Sequence, residues 1–234
     1  MSPSASNRET ILGALRQRLG RRDGDGGAET VAARIGAPAR GPIPARGAGD
    51  HNEQVALFVA MAEEVAARVI RVASAEAVPE AVADYLKSEN LPAEVRRAPD
   101  PDLRDLPWDS QPLISWSEGP ARPTDPVSLT GAFAGIAETG TLMLTSGPAG
   151  PTTLNFLPET HMVLLKAGDI VGCYEDAWDR LRATQGLADD GGALPRTVNL
   201  ITGPSRTADI EQTIQLGAHG PRRLCILLVD DGEA

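Results

Sequence analysis

The sequence predicts an α/β fold, with a largely parallel sheet and flanking helices, on three observations. Short apolar runs bounded by Pro, Gly and Asp recur through the second half of the chain. Several are continuously apolar instead of alternating, the pattern of strands covered on both faces. Stretches with helical spacing separate the later runs, and strand, helix, strand order favours parallel pairing through crossovers.

The elements follow in order. Ser6-Asn7-Arg8-Glu9 fits a capping box, and Ile11, Leu12, Leu15 and Leu19 then share one helical face, so residues 1–20 are expected to form an N-terminal helical arm. Residues 21–49 read as a flexible Gly/Pro-rich linker, because seven of the 24 glycines and three prolines lie between Arg21 and Asp50. A helix on such a tether docks either on the body of the molecule or on a partner chain. The body, 50–234, is expected to open with a second cap, Asp50-His51-Asn52-Glu53, followed by Val55, Phe58, Ala62, Val65 and Val69 at helical spacing. A helix over about 76–87 comes next. Strands are expected at 113–116, 127–129, 141–145, 162–165, 198–202 and 224–229, with helices at about 175–185 and 207–216.

Composition narrows the function. A length of 234 residues suits one domain of this size class. No apolar run approaches the ~20 residues of a membrane-spanning helix. The first eight residues contain no apolar stretch that an export apparatus would read, so the cytoplasm is the expected compartment. A net charge of −10 disfavours nucleic acid, whose binding rests on Lys and Arg neutralising phosphates. Only Cys173 and Cys225 occur, neither in a C-x-x-C. An iron–sulfur cluster normally needs four thiolates, so no cluster and no other cofactor is expected on this chain. Cys225, inside an apolar run, reads as a small hydrophobe, and so does Cys173 after Gly172.

Three segments place polar residues at glycine turns beside buried strands. In the first, 130–141, Gly135 and Gly140 have Walker A spacing, but Thr141-Leu142 stands where Lys and then Ser or Thr are needed, which excludes a P-loop. A G-x-G-x-x-G fingerprint between strand and helix is also absent. Glu138, among small and apolar residues, is the candidate acid, base or nucleophile there, with Thr139 and Thr141 as candidate ligand contacts. Hydrogen bonds from nearby amides that fix the turn would equally account for it. In the second segment, His161 opens an apolar strand as a candidate site residue or as a neutral imidazole satisfying local groups.

The third segment, 199–211, ends a strand at Gly203-Pro204. Ser205 or Thr207 is expected to cap a following helix whose free amides face the crevice at the strands' carboxyl ends. Arg206 adds positive charge there, whereas Asp209 and Glu211 complement the helix dipole and compete with an incoming anion. Ser205, Arg206, Thr207 and Asp209 are therefore candidate ligand contacts, and capping alone would also explain several of them. His219, between two short glycine turns, either projects into the same crevice or holds its own loop. The expectation is that Glu138, His161, Ser205, Thr207 and His219 meet at one pocket rim.

Taken together, Ala137-Glu138-Thr139-Gly140-Thr141-Leu142, Pro158-Glu159-Thr160-His161, the run from Thr202 to Glu211 and Gly217-Ala218-His219-Gly220-Pro221 resemble the lactate utilization protein C family, with its LUD domain. The departures are mild: Thr202 where Ser is common, and Ala218 where Val is common. The resemblance implies a fold similar to ribose-phosphate isomerase and the CoA-transferases. It also implies oxidation of L-lactate to pyruvate alongside partner proteins that carry iron–sulfur clusters. The chain itself would be a non-redox subunit or accessory binding a small carboxylate or phosphate. A free-standing isomerase- or CoA-transferase-like enzyme using Glu138 is the alternative, and a purely structural module is a third reading.

Overall fold

The computed structural model describes residues 3–20, 27–37, 40–184, 194–207, 215–217 and 219–230. The chain divides into two compact units, Met1–Gly41 and Pro42–Ala234. The first unit contains α1 (Pro3–Arg18) and α2 (Gly27–Gly36). α1 starts ahead of the Ser6 cap that the sequence suggests, with Pro3 supplying a backbone angle suited to a first turn. α2 lies inside the expected linker, because Ala, Glu and Arg between Gly27 and Gly36 are good helix formers.

In the second unit α3 (His51–Glu64) begins at the predicted capping box. The Asp50 carboxylate accepts from the Glu53 amide at 2.9 Å, and Glu53 accepts from the Asp50 amide at 3.0 Å. The helix ends where Ala66 turns to φ +64° and the Ala67 amide bonds back to the Ala62 carbonyl. Val69, expected on this helix, therefore falls in β1 (Arg68–Val72). There follow α4 (Val78–Ser88), β2 (Glu94–Arg97), α5 (Pro101–Arg104), β3 (Ser115–Glu118), β4 (Val127–Gly131), β5 (Ala134–Ile136), β6 (Thr141–Thr145), β7 (Thr160–Lys166) and β8 (Ile170–Val171). Then come α6 (Tyr174–Thr184), β9 (Val198–Ile201), β10 (Arg206–Thr207), β11 (Gln215–Leu216) and β12 (Arg223–Val229).

Among the described residues six strands form an all-parallel sheet in the order β1-β12-β7-β4-β2-β3. Its central strands explain the continuous apolar runs. Met162, Leu164, Cys225, Leu227 and Val229 pack on one face with Val82, Tyr85 and Leu86 of α4. Val163, Leu165, Leu224, Ile226 and Leu228 pack on the other with Phe58 and Ala62 of α3. Successive side chains alternate faces, and both faces are covered.

A smaller mixed sheet, ordered β8-β5-β6-β9, contributes Leu142 and Leu144 to the core on the α3 side. β6 pairs antiparallel with both β5 and β9, so two of the expected strands belong to this sheet and not to the parallel one. The expected helix over 207–216 also needs correction at its ends. Arg206 pairs with Leu216 and Thr207 with Gln215 as an antiparallel ladder, while residues 208–214 lie outside the described residues. Among the described residues no helix is long and apolar enough to cross a membrane.

Candidate ligand-binding cleft

A cleft of about 280 Å³ opens where the start of β7 meets the turns around Asn155, Gly203 and His219. His161 lines it, fully buried, paired in register between Ser128 of β4 and Leu224 of β12. Its Nε2 lies 2.8 Å from the Thr130 hydroxyl, and its Nδ1 has no hydrogen-bond partner among the described residues. Burial pushes its pKa down to about 3, so the ring is neutral at physiological pH. In the tautomer where the Thr130 hydroxyl donates to Nε2, the ring proton sits on Nδ1 as a donor in search of an acceptor; in the other, Nε2–H donates to Thr130 and Nδ1 is an acceptor.

The opposite wall is the 202–206 turn. Gly203 adopts φ +73°, and a Cβ there would stand 2.4 Å from the Val65 carbonyl oxygen, so no other residue fits this seat against the end of α3. The Arg206 guanidinium donates to that same Val65 carbonyl. Ser205 does not cap a helix. Its amide donates to Pro221 at 2.9 Å, its carbonyl accepts from Gly217 at 2.9 Å, and its hydroxyl accepts from the His219 amide at 3.2 Å. Ser205 thus ties the two loops of this wall together.

The Glu138 loop is built differently. Glu138 is 4% exposed, and its Oε1 accepts from the amide of Tyr174, the first residue of α6, at 3.0 Å. A carboxylate at a helix N-terminus satisfies an orphan donor and complements the helix dipole. The hydroxyls of Thr139, Thr141 and Tyr174 form a closed triangle at 2.7, 3.1 and 3.0 Å. Thr141 also reaches Thr202 at 2.7 Å, which links the triangle to the cleft wall. Gly140, at φ +63°, presses on α3 so closely that a Cβ would stand 2.3 Å from the Ala62 nitrogen.

The structure therefore brings His161, Ser205, Arg206 and His219 to one cleft, but not Glu138, Thr139 or Thr141. The common rim expected from the sequence is corrected to that extent: the Glu138 carboxylate turns to α6. Thr207 lies in β10 with its side chain outside the description, and Asp209 lies outside the described residues. His219 is exposed at the cleft edge.

Sequence reasoning missed Asn155 and Phe156, which line the cleft from the loop before β7. Asn155 is 5% exposed, yet its side-chain amide has no hydrogen-bond partner among the described residues. A polar residue alone between Leu154 and Phe156 carries no periodic signal, so only the fold shows it. Both cysteines are buried: burial pushes Cys225 up to about 12 and raises Cys173, so neither is a ready thiolate. Among the described residues no three His, Cys, Asp or Glu side chains group as a metal site.

Residues 126–229 match the family described as the LUD domain. The chain is 43% identical over 100 residues to an uncharacterized protein of Neisseria meningitidis serogroup B, a match covering 43% of this chain and 40% of that protein. It is 35% identical over 105 residues to lactate utilization protein C of Bacillus subtilis, covering 45% and 42% of the two chains. The same name belongs to a Geobacillus protein that is 34% identical over 111 residues, covering 45% and 42%. The chain thus spans about two fifths of the length of these relatives. A crystal structure of a DUF162 family protein from Deinococcus radiodurans superposes with a TM-score of 0.56 at 22% identity, covering 77% of this chain and 99% of that one. At that identity the likeness speaks for the fold alone. β4, β7 and β12, the central strands, fall inside the matched segment, while β1, β2 and β3 complete the same sheet from outside it. Residues 126–229 are thus similar to the LUD domain, and the chain shares a stretch of similar length with proteins named lactate utilization protein C.

Proposed function

We infer that this protein acts in lactate utilization as a non-redox accessory subunit, working in the cytoplasm beside iron–sulfur partner proteins that oxidise L-lactate to pyruvate. Its own contribution is to bind a small anion in the His161 cleft. The names of its relatives support the pathway. The observation that carries the binding role is the buried, neutral His161, whose Nδ1 has no hydrogen-bond partner among the described residues. An unsatisfied buried polar atom costs about 1–3 kcal/mol, and a carboxylate oxygen accepting from Nδ1–H would recover that cost.

Around that contact each residue has a role. The Ser205 hydroxyl, which accepts from the His219 amide, keeps its own proton to donate to the anion. Arg206 and His219 hold the rim, where Arg206 supplies a fixed positive charge. A neutral His161 binds the anion as a hydrogen-bond donor and not as an ion, so this contact is insensitive to pH near neutrality. The chain orients the ligand, and the redox step belongs to the clusters on the partners. Glu138, bonded to the start of α6, acts here as a helix cap and not as a nucleophile.

Thermal-shift and calorimetric titration with L-lactate and pyruvate test this reading, together with co-purification of the iron–sulfur partners. A saturable rise in unfolding temperature is expected, lost in His161→Leu and kept in Glu138→Gln. Binding that survives in His161→Leu would remove the cleft from the function. A chain that never co-purifies with cluster-bearing partners would remove the accessory role.

A further inference from the structure

A second cleft, of about 230 Å³, lies beside the first and is lined by Asp100, Thr130, Gly131, Thr145 and Asn155, among others. Two features connect them. Asn155 lines both clefts. Thr130, on the wall of the second, hydrogen-bonds His161 on the wall of the first. We propose that the two clefts are the two ends of one binding site, and that its ligand is an anion whose far end carries hydroxyl groups, held by Asp100 and Asn155. This extension rests on the anion-binding role of the His161 cleft.

The chemistry of the second cleft separates it from the first. Its nearby main-chain donors are already committed: Ala132 to Leu164 at 2.9 Å, Phe133 to Met143 at 2.8 Å and Gly150 to Gly147 at 3.1 Å. What remains is rich in acceptors. The Asp100 carboxylate uses Oδ1 to cap α5 through the Asp102 amide at 3.1 Å. Its Oδ2 faces Gly131 so closely that a Cβ there would stand 2.8 Å away. No hydrogen-bond partner of Oδ2 occurs among the described residues. A second anionic group would be repelled by this carboxylate, whereas a hydroxyl donates to it. Burial of Asp100 raises its pKa, as expected of a carboxylate set in a cleft wall.

Asn155 is the second, independent observation. It is 5% exposed, no hydrogen bond of its side-chain amide occurs among the described residues, and it lines both compartments with a donor and an acceptor to offer. Buried amides normally find partners within the protein, so one left unpaired on the shared wall of two clefts is placed to meet a ligand passing between them. Size points the same way. Pockets that enclose drug-sized ligands run from about 300 to 1,000 Å³, and either cleft alone sits below that range.

The test compares L-lactate with D-gluconate, a polyhydroxylated carboxylate, by calorimetry on the full chain. Gluconate is expected to bind at least about tenfold more tightly, the factor that one well-made additional hydrogen bond to a charged group supplies. Asp100→Asn keeps a capping side chain for α5 and is expected to abolish that preference. Gly131→Ala, which crowds Asp100 without touching the His161 cleft, is expected to do the same. Equal affinity for the two anions, or a preference that survives both variants, would overturn the extension while leaving the first cleft standing. Absence of binding by either anion would overturn both readings together.

Discussion

The Glu138 loop and the His161 cleft are both buried, polar and rich in glycine, yet they balance their hydrogen bonds in opposite ways. In the loop each noted polar group meets another: Glu138 the α6 amide, and Thr139, Thr141, Tyr174 and Thr202 one another. In the cleft neither His161 Nδ1 nor the Asn155 amide has a hydrogen-bond partner among the described residues. The difference teaches where to look for binding. A self-satisfied polar cluster fixes the fold, whereas unmet polar atoms beside open space await a ligand.

The comparison is broken most severely at the glycines. Gly140→Ala drives a Cβ into the backbone of α3 from a left-handed conformation, and a loss exceeding about 4 kcal/mol or failure to fold is expected in urea denaturation. On the cleft side, Gly220→Ala meets Ser205 only at 3.4 Å and is expected to fold normally. If both variants fold alike, the loop is not the structural member of the pair.

Acid should then single out the cleft. His161 is held at about 3 in the folded protein against an ordinary 6.5, so below pH 6.5 the unfolded chain takes up the proton and the folded one does not. The stability this contributes is complete above pH 6.5 and falls by about 1.4 kcal/mol per pH unit down to about 3. Unfolding free energies from urea titrations at pH 7 and pH 5 should differ by roughly 2 kcal/mol from this residue, and His161→Leu should flatten the slope.

Smaller effects sharpen the contrast. Thr141→Val removes the hub of the hydroxyl triangle and should cost about 2 kcal/mol, with anion affinity affected only through Thr202. Glu138→Gln keeps an acceptor at the start of α6 but loses the charge, at about 0.5–1 kcal/mol and with unchanged ligand affinity. His219→Ala, at an exposed position, should shift stability by less than about 0.5 kcal/mol while weakening anion binding severalfold. A Glu138→Gln variant that binds no anion, beside a His219→Ala variant that binds normally, would reverse the assignment.

Much of the fold was legible because its cause is local. Asp50 and Glu53 announced α3, and the apolar runs at β7 and β12 announced strands covered on both faces. The short strands β2 and β5 escaped notice. β2 is Glu-Val-Arg-Arg, with Arg96 buried by pairing with Asp125, a contact that sequence spacing does not reveal. The site was legible in part for a similar reason. His161, Ser205, Arg206 and His219 carry their chemistry in their side chains, and the motif quoted them together. Glu138 misled because burial of a carboxylate looks alike in a sequence whether its partner is a substrate or a helix amide. Asn155 was invisible because its importance lies in having no partner, a property only the surrounding fold defines.

Ahead of α3, Gly47 lies against Gly172 with no space for a Cβ on either side, and the Gln54 side chain donates to the carbonyls of Gly47 and Gly49. Trimming the protein at Asp50, where composition alone sets the start of the body, would strip away this buttress and leave Gln54 with two donors and no acceptor. A shortened version intended for crystallisation or binding work is better cut at Pro42, so that the buttress travels with the part it supports.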